Sequence, residues 1–202
     1  DPREILISKN NLDFQTLKTD STVGTSSFRR EFQLKRIRSD LKYKLIRGNV
    51  DTRIKKLNEN LFDAIILSYA GIKSLNLTNN ISQIFSISEI IPSVGQGVIA
   101  LQCRKNDNTI IKLLNGINHK ETHYCVQAER NVLKILEGDC ETAVGVLAKI
   151  EVNKVVLEAE LFSLDGKQRF YLKSSKDLNL AAELGKEVGE ILKKKSQDSY
   201  KK

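Results

Sequence analysis

The chain has no methionine, only two histidines and only three cysteines among its 202 residues. It opens with "DPREILIS", as if already inside a strand-forming region. Together with the missing methionine, this opening is read as that of a fragment, a processed chain or one piece of a larger assembly. Cys103, Cys125 and Cys140 are widely spaced with no CxxC. That pattern excludes a disulfide framework and a zinc site of the usual spacing. His119 and His123 stand four apart near Cys125 but lack a third ligand at useful spacing, so they read as surface histidines and no metal is expected. No apolar run approaches the roughly 18 residues of a membrane span, and nothing resembles a signal peptide, which makes cytoplasmic the default expectation. Repeats and low-complexity segments are absent apart from the lysine-rich end.

What is present is the make-up of a globular protein: 40% hydrophobic, 29% charged, net charge +8 and pI near 9.3. The length suits two small domains. The positive balance points to an anionic partner without choosing between nucleic acid, an acidic small molecule and a solvated surface. Nucleic acid is disfavoured because the five tyrosines and seven phenylalanines are not interleaved with the basic residues as a stacking platform requires. The closing "LKKKSQDSYKK" reads most simply as a fraying tail.

Along the first half, apolar β-rich runs alternate with 3.6-period segments. "EILIS" and "TVGTS" precede a helix over about 27–39; "YKLIRG" precedes a second over about 51–60; "FDAIILSYAG" follows. Such alternation predicts a mostly parallel sheet with helices on its faces. "SISEII" reads as a helical turn stopped by Pro92, and Gly95 and Gly97 as a turn feeding a strand over 98–103. The second half predicts a long helix over about 122–136, with Glu129 among its core-face positions and Gly138 just past its end. Three strands and a helix over about 178–194 then make a small α+β domain.

The stretch "VGTSSFRR" carries the first chemical signal. In an open parallel sheet, ligands bind beyond the carboxyl ends of the strands, where helix N-termini offer free N–H groups. Thr25, Ser26 and Ser27 sit at such an end, and Arg29 and Arg30 open the helix behind them. Cations at a helix N-terminus cost roughly 0.3–1 kcal/mol each, so the arrangement asks for an anion. Arg47 closes "YKLIRG" and Arg53 lies in the next first turn, bringing four arginines to one edge by independent routes. Guanidinium forks match carboxylate or phosphate. Cys140 lies in the loop "EGDCETAVG", outside the helix or strand where a packed cysteine usually sits; its acidic neighbours do not favour thiolate chemistry, and an inert loop cysteine remains the plain alternative.

In order along the chain, "DPREILIS", "VGTSSFRREFQL", "IRGNVDTRIKKL", "FDAIILSYAGIKSL", "IPSVGQGVIALQCR", "AERNVLKILEGDC" and the "LDGK" hairpin resemble the porphobilinogen deaminase (hydroxymethylbilane synthase) family. The resemblance covers essentially the whole sequence. It implies two periplasmic-binding-protein-like domains flanking a cleft, plus a small domain with a cysteine thioether-linked to a dipyrromethane cofactor. On that pattern, residues 1–98 are the second domain, 99–119 a segment returning to the first, and 120–202 the cofactor-attachment domain. Cys140 aligns with the attachment cysteine. Thr25, Ser27, Arg29, Arg30 and Arg53 fall on cofactor-binding positions, Arg47 and Arg53 on substrate-binding ones.

The implied reaction joins four porphobilinogen molecules head to tail with loss of ammonia and releases hydroxymethylbilane by hydrolysis. Ser74 replaces a family arginine, with Lys73 as a partial substitute, and "EGDCETA" stands for "EGGCQVP". The family's acid/base aspartate lies in an N-terminal segment ahead of "DPRE", so no catalytic residue is expected here and the chain alone is expected to be inactive. That segment could be a separate chain; the complete enzyme is expected to be a monomer without nucleic-acid or membrane partners. Arg30→Leu is expected to harm turnover far more than stability. The alternative is a small-anion sensor or carrier, which leaves Cys140 without a task.

Overall fold

Glu4–Ser8 forms β1, buried along its whole length. In the computed structural model, which describes all residues from Asp1 to Lys202, it is followed by β2 (Thr22–Gly24), α1 (Phe28–Ile37), β3 (Lys42–Lys44), α2 (Val50–Asn58), β4 (Ala64–Ser68), α3 (Tyr69–Ser74) and β5 (Gln83–Ile84). The five strands make one sheet in the order β3-β2-β4-β1-β5. Alternate side chains of β1 and β4 serve its two faces. Leu6, Ala64 and Ile66 pack with Leu34 of α1, while Ile5, Ile7, Ile65 and Leu67 pack with Leu57 of α2 and Ile72 of α3.

The expectation of a mostly parallel sheet needs correcting. β2 runs parallel to β3 and β4, but β1 is antiparallel to both its neighbours, with Glu4 opposite Ser68 and Ser8 opposite Ala64. A strand buried on both faces shows the same apolar run in either direction, so "EILIS" carries no record of its polarity. The reversal matters for the site: it brings the start of β1 to the edge where β2 and β4 end.

Several boundaries also move. β3 stops at Lys44, so Arg47 lies in the loop beyond it rather than on the strand. Gly48 in that loop has φ +120°, and a Cβ there would lie 2.6 Å from the Thr52 side chain, so the turn into α2 requires glycine. In "SISEII", Ser86 and Glu89 exchange contacts at 2.7 and 3.2 Å in capping-box fashion, but one turn forms without a helix before Pro92. The expected strand over 98–103 is absent. Ile99 is 86% exposed and Leu101 57%, and the following α4 (Asn108–Ile117) buries no residue, leaving Leu113 and Ile117 open.

The second unit comprises α5 (Lys120–Leu136), β6 (Val144–Glu151), β7 (Lys154–Phe162), β8 (Arg169–Asp177) and α6 (Ala181–Ser196). Its strands form the expected three-stranded antiparallel sheet, β6-β7-β8, and both helices pack on it around a core of 15 buried residues. The "fraying" tail is a further correction: Tyr200 is buried in that core and its hydroxyl donates to the Leu136 carbonyl at 3.0 Å.

The two units meet along α1. Phe32 packs with Ala143 and Phe162. Gln33 bonds both polar backbone atoms of Ile91, at 2.6 and 2.9 Å, and the adjacent Pro92 carbonyl accepts from Val146 N of β6 at 2.9 Å. Glu129 on α5 accepts from Gly95 N (2.7 Å) and Ala148 N (2.9 Å), tying the connecting loop to β6. Burial pushes the Glu129 carboxyl up, against the pull of those two N–H groups.

Candidate anion-binding site

Three strand ends and the start of a fourth define the site. Thr25 follows β2; it is buried, its N–H bonds the Lys44 carbonyl at 3.1 Å, and its hydroxyl accepts from Ser27 N at 3.2 Å. Ser27 is the cap of α1, receiving a long contact from Arg30 N at 3.4 Å. Asn49 caps α2 more tightly, at 2.9 Å from Thr52 N. Two helix N-termini and their hydroxyl-rich lead-ins therefore open on one edge.

The arginines divide into two kinds there. Arg29 is 4% exposed and turns inward, giving one Nη to Glu4 Oε1 at 2.7 Å and the other to the Ile91 carbonyl at 3.0 Å. Arg30 lies 2.8 Å from the second oxygen of Glu4, reaches the Ile66 carbonyl at 3.4 Å, and keeps a buried Nε with no partner. Arg53 bonds the Gly48 carbonyl at 2.8 Å and the Ser26 hydroxyl at 3.3 Å but faces no carboxylate. Arg47 is exposed in its loop, its side chain unpaired.

Glu4 is the residue the sequence reading passes over. It is wholly buried; burial alone would push its carboxyl up, yet Arg30 and Arg29 beside it hold it below the ordinary carboxylate range. The available signal was a lone acid at the head of an apolar strand, since a buried carboxylate must find a cation. Part of the anion that "VGTSSFRR" asks for is therefore internal. One carboxylate does not neutralise four guanidinium groups. Partial burial, and after it the neighbouring Arg30, lower Arg53 from its ordinary value.

Cys140 lies exposed in the loop between α5 and β6, and Ala143 at the foot of that loop packs on Phe32 of α1. Inside the loop, Asp139 Oδ1 accepts from Glu141 N, Thr142 N and the Thr142 hydroxyl at 2.8–3.2 Å. Cys125 is unlike it: burial, with Glu129 and Glu121 alongside, pushes its thiol up to about 11. Ser74 is exposed and bonds back to the Ala70 carbonyl at 2.9 Å. His119 caps α5 through Thr122, and no group of three His, Cys, Asp or Glu side chains is arranged to hold a metal ion. No helix is long and apolar enough to cross a membrane.

Comparison with known proteins converges on one family. Residues 1–112 match the family model described as porphobilinogen deaminase, dipyromethane cofactor binding domain, and residues 123–194 that described as porphobilinogen deaminase, C-terminal domain. The porphobilinogen deaminase of Desulforamulus reducens is 39% identical over 191 residues, 95% of this chain and 62% of its own. That of Blochmanniella floridana is 41% identical over 185 residues, 92% of this chain and 60% of its own. That of Coxiella burnetii is 44% identical over 167 residues, covering 83% and 54%. The chain thus spans 54–62% of the length of these relatives.

Proposed function

The chain belongs to the porphobilinogen deaminase family, and from that premise we propose that it forms the pyrrole-holding and cofactor-attachment part of a cytoplasmic hydroxymethylbilane synthase. The complete enzyme would join four porphobilinogen molecules with loss of ammonia and release the linear product by hydrolysis. The observation that carries the reading is the cationic surplus at the sheet edge: Arg30, Arg47 and Arg53 stand there with Glu4 as the one ion-pair partner, already shared with Arg29. Pyrroles bearing acetate and propionate supply the anions such an edge requires.

The residues present fit a dipyrromethane. Arg53 offers a partly exposed guanidinium without a carboxylate, Arg30 a buried Nε without a partner, and Ser26 and Ser27 hydroxyls beside them. Cys140 presents an open thiol for the thioether. When bound, the dipyrromethane primes the chain to which pyrrole units are added. Arg30 and Arg53 would grip its carboxylates; Thr25 and Ser27 would set the backbone N–H groups of the α1 entrance toward it. Arg29 belongs to the same group but acts through Glu4, which it holds in the orientation that aims Arg30. Arg47, free in its loop, would meet the carboxylates of incoming porphobilinogen together with Arg53.

Glu4, the buried acid at this edge, is ionised and paired, whereas Asp51 in the first turn of α2 is exposed and makes no ion pair. On the family pattern the proton donor for the pyrrole nitrogens lies in a segment outside these 202 residues, and the chain alone is read as inactive. The open apolar side chains Ile99, Leu101, Leu113 and Ile117 mark where that remaining part would dock. In this reading residues 1–98 are a periplasmic-binding-like half of the cleft, 99–119 the return segment and 120–202 the attachment domain of a monomer. The test is to incubate the chain with porphobilinogen, alone and in the complete protein, and to follow uroporphyrinogen. Turnover only in the complete protein is expected; robust turnover by the 202 residues alone overturns the assignment of the acid/base.

A further inference from the structure

The loop that carries Cys140 is held from outside itself. α5 ends at Leu136, and Glu137 caps it in left-handed backbone (φ 53°). The segment Ser199–Lys202, beyond α6, folds back along the loop that follows. Tyr200 is sunk in the core with its hydroxyl on the Leu136 carbonyl, and the Ser199 carbonyl accepts from Leu164 N at 2.9 Å. From that anchor two lysines reach the loop on either side of the cysteine. Lys201 Nζ sits 2.6 Å from Glu137 Oε2, joined there by Lys193 at 3.5 Å, and Lys202 Nζ pairs with Glu141. Between loop and segment lies a cavity of about 220 Å³, with Asp139, Thr142, Leu164 and Tyr200 among its walls. The loop is anchored at its two ends, by Gly138 N on the Leu133 carbonyl and by Ala143 packed on Phe32, and between them Asp139–Thr142 is held by the Asp139 bonds and by these ion pairs.

We propose that Ser199–Lys202 is a positioning strap that fixes the Cys140 loop, so that the thiol is displayed at one place for cofactor attachment. The attachment role rests on the reading of Cys140 given above; the strap itself does not. Tyr200 anchors it, Lys201 and Lys202 grip the two sides of the loop, and Cys140 stays exposed between them. The arrangement holds the attachment point without touching the sulfur.

Hydrogen exchange of the Glu141 and Thr142 amides in the 202-residue chain tests the strap directly, because both amides bond Asp139 within the loop and their protection falls as the loop loosens. Lys201→Gln with Lys202→Gln is expected to speed their exchange roughly two- to fivefold per lost pair, the factor an exposed ion pair supports, with an unchanged melting temperature. Lys201→Arg with Lys202→Arg keeps both charges and is expected to restore wild-type exchange. Unchanged exchange in the glutamine variant, or no restoration by arginine, overturns the strap. In the complete protein the glutamine variant is expected to accumulate a pyrrole adduct on Cys140 more slowly, with KM for porphobilinogen unchanged. Adduct formation at the wild-type rate in a loosened loop overturns the positioning role. Faster exchange in the glutamine variant with an adduct on a residue other than Cys140 upholds the strap and overturns the reading of Cys140.

Discussion

Glu4 carries a charge into a strand with no solvent exposure, which costs several kcal/mol unless cations meet it. Arg29 and Arg30 do so at 2.7 and 2.8 Å. Glu4→Gln leaves two guanidinium groups facing each other and is expected to cost about 3–5 kcal/mol, the usual price of breaking a buried pair, measured by chemical denaturation. The pH dependence has a definite sign. Because the folded carboxyl lies below its ordinary 4.5, its stabilisation is complete above about pH 4.5 and is lost as pH falls through the folded value. Glu129, pushed up by burial, works in the opposite sense. The acid limb of a stability-against-pH curve is therefore expected to flatten in Glu4→Gln, and an unchanged limb would count against the ion pair.

The same geometry revises the expectation for Arg30→Leu. Arg30 is half of what compensates Glu4, so its loss lowers stability as well as ligand binding. Arg53 gives the cleaner separation, since it faces no carboxylate. Arg53→Gln is expected to leave stability within about 1 kcal/mol and to reduce kcat/KM of the complete enzyme roughly 10- to 150-fold, the range of one charged hydrogen-bonded contact. A large loss of stability instead would mark Arg53 as structural.

At the scale of elements, α1 joins the two units. Its N-terminus faces the anion edge through Arg30, and its middle packs against the second unit through Phe32. Phe32→Ala removes that contact with Ala143 and Phe162 and is expected to cost about 3 kcal/mol, read by denaturant midpoint. Glu129→Ala strips the acceptors from Gly95 N and Ala148 N and is expected to cost about 2–4 kcal/mol, one partly buried and one buried donor left unpaired. The period of α5 already put Glu129 on the packed face; only the fold supplies its partners. Likewise both main helices of the second unit and its three strands are legible from spacing. The direction of β1 is not, because burial on both faces erases the alternation that would reveal it, and with it went the pairing of Glu4. The strand expected over 98–103 shows the converse: an apolar run states a need for burial, and these 202 residues provide no neighbouring strand. The tail was misread because its lysines outvote the single Tyr200, whose burial depends on a groove that no local pattern encodes.

For the whole molecule, the net charge of +8 resolves into paired and unpaired parts. Many lysines and arginines face acidic partners on the surface and others, such as Lys18, Lys105 and Lys120, stand unpaired around the molecule; Arg47 and Arg53 are the unpaired guanidinium groups where two helix N-termini open. Residues 98–117 leave Ile99, Leu101, Leu113 and Ile117 open, and the chain spans 54–62% of the length of these relatives. The central claim is that the arginine edge and the Cys140 loop together hold a pyrrole chain. Intact-mass spectrometry of the complete, natively expressed protein tests it most directly. The account expects a covalent pyrrole adduct that peptide mapping places on Cys140 and that Cys140→Ser abolishes; a bare wild-type chain, or an adduct on another residue, would contradict it.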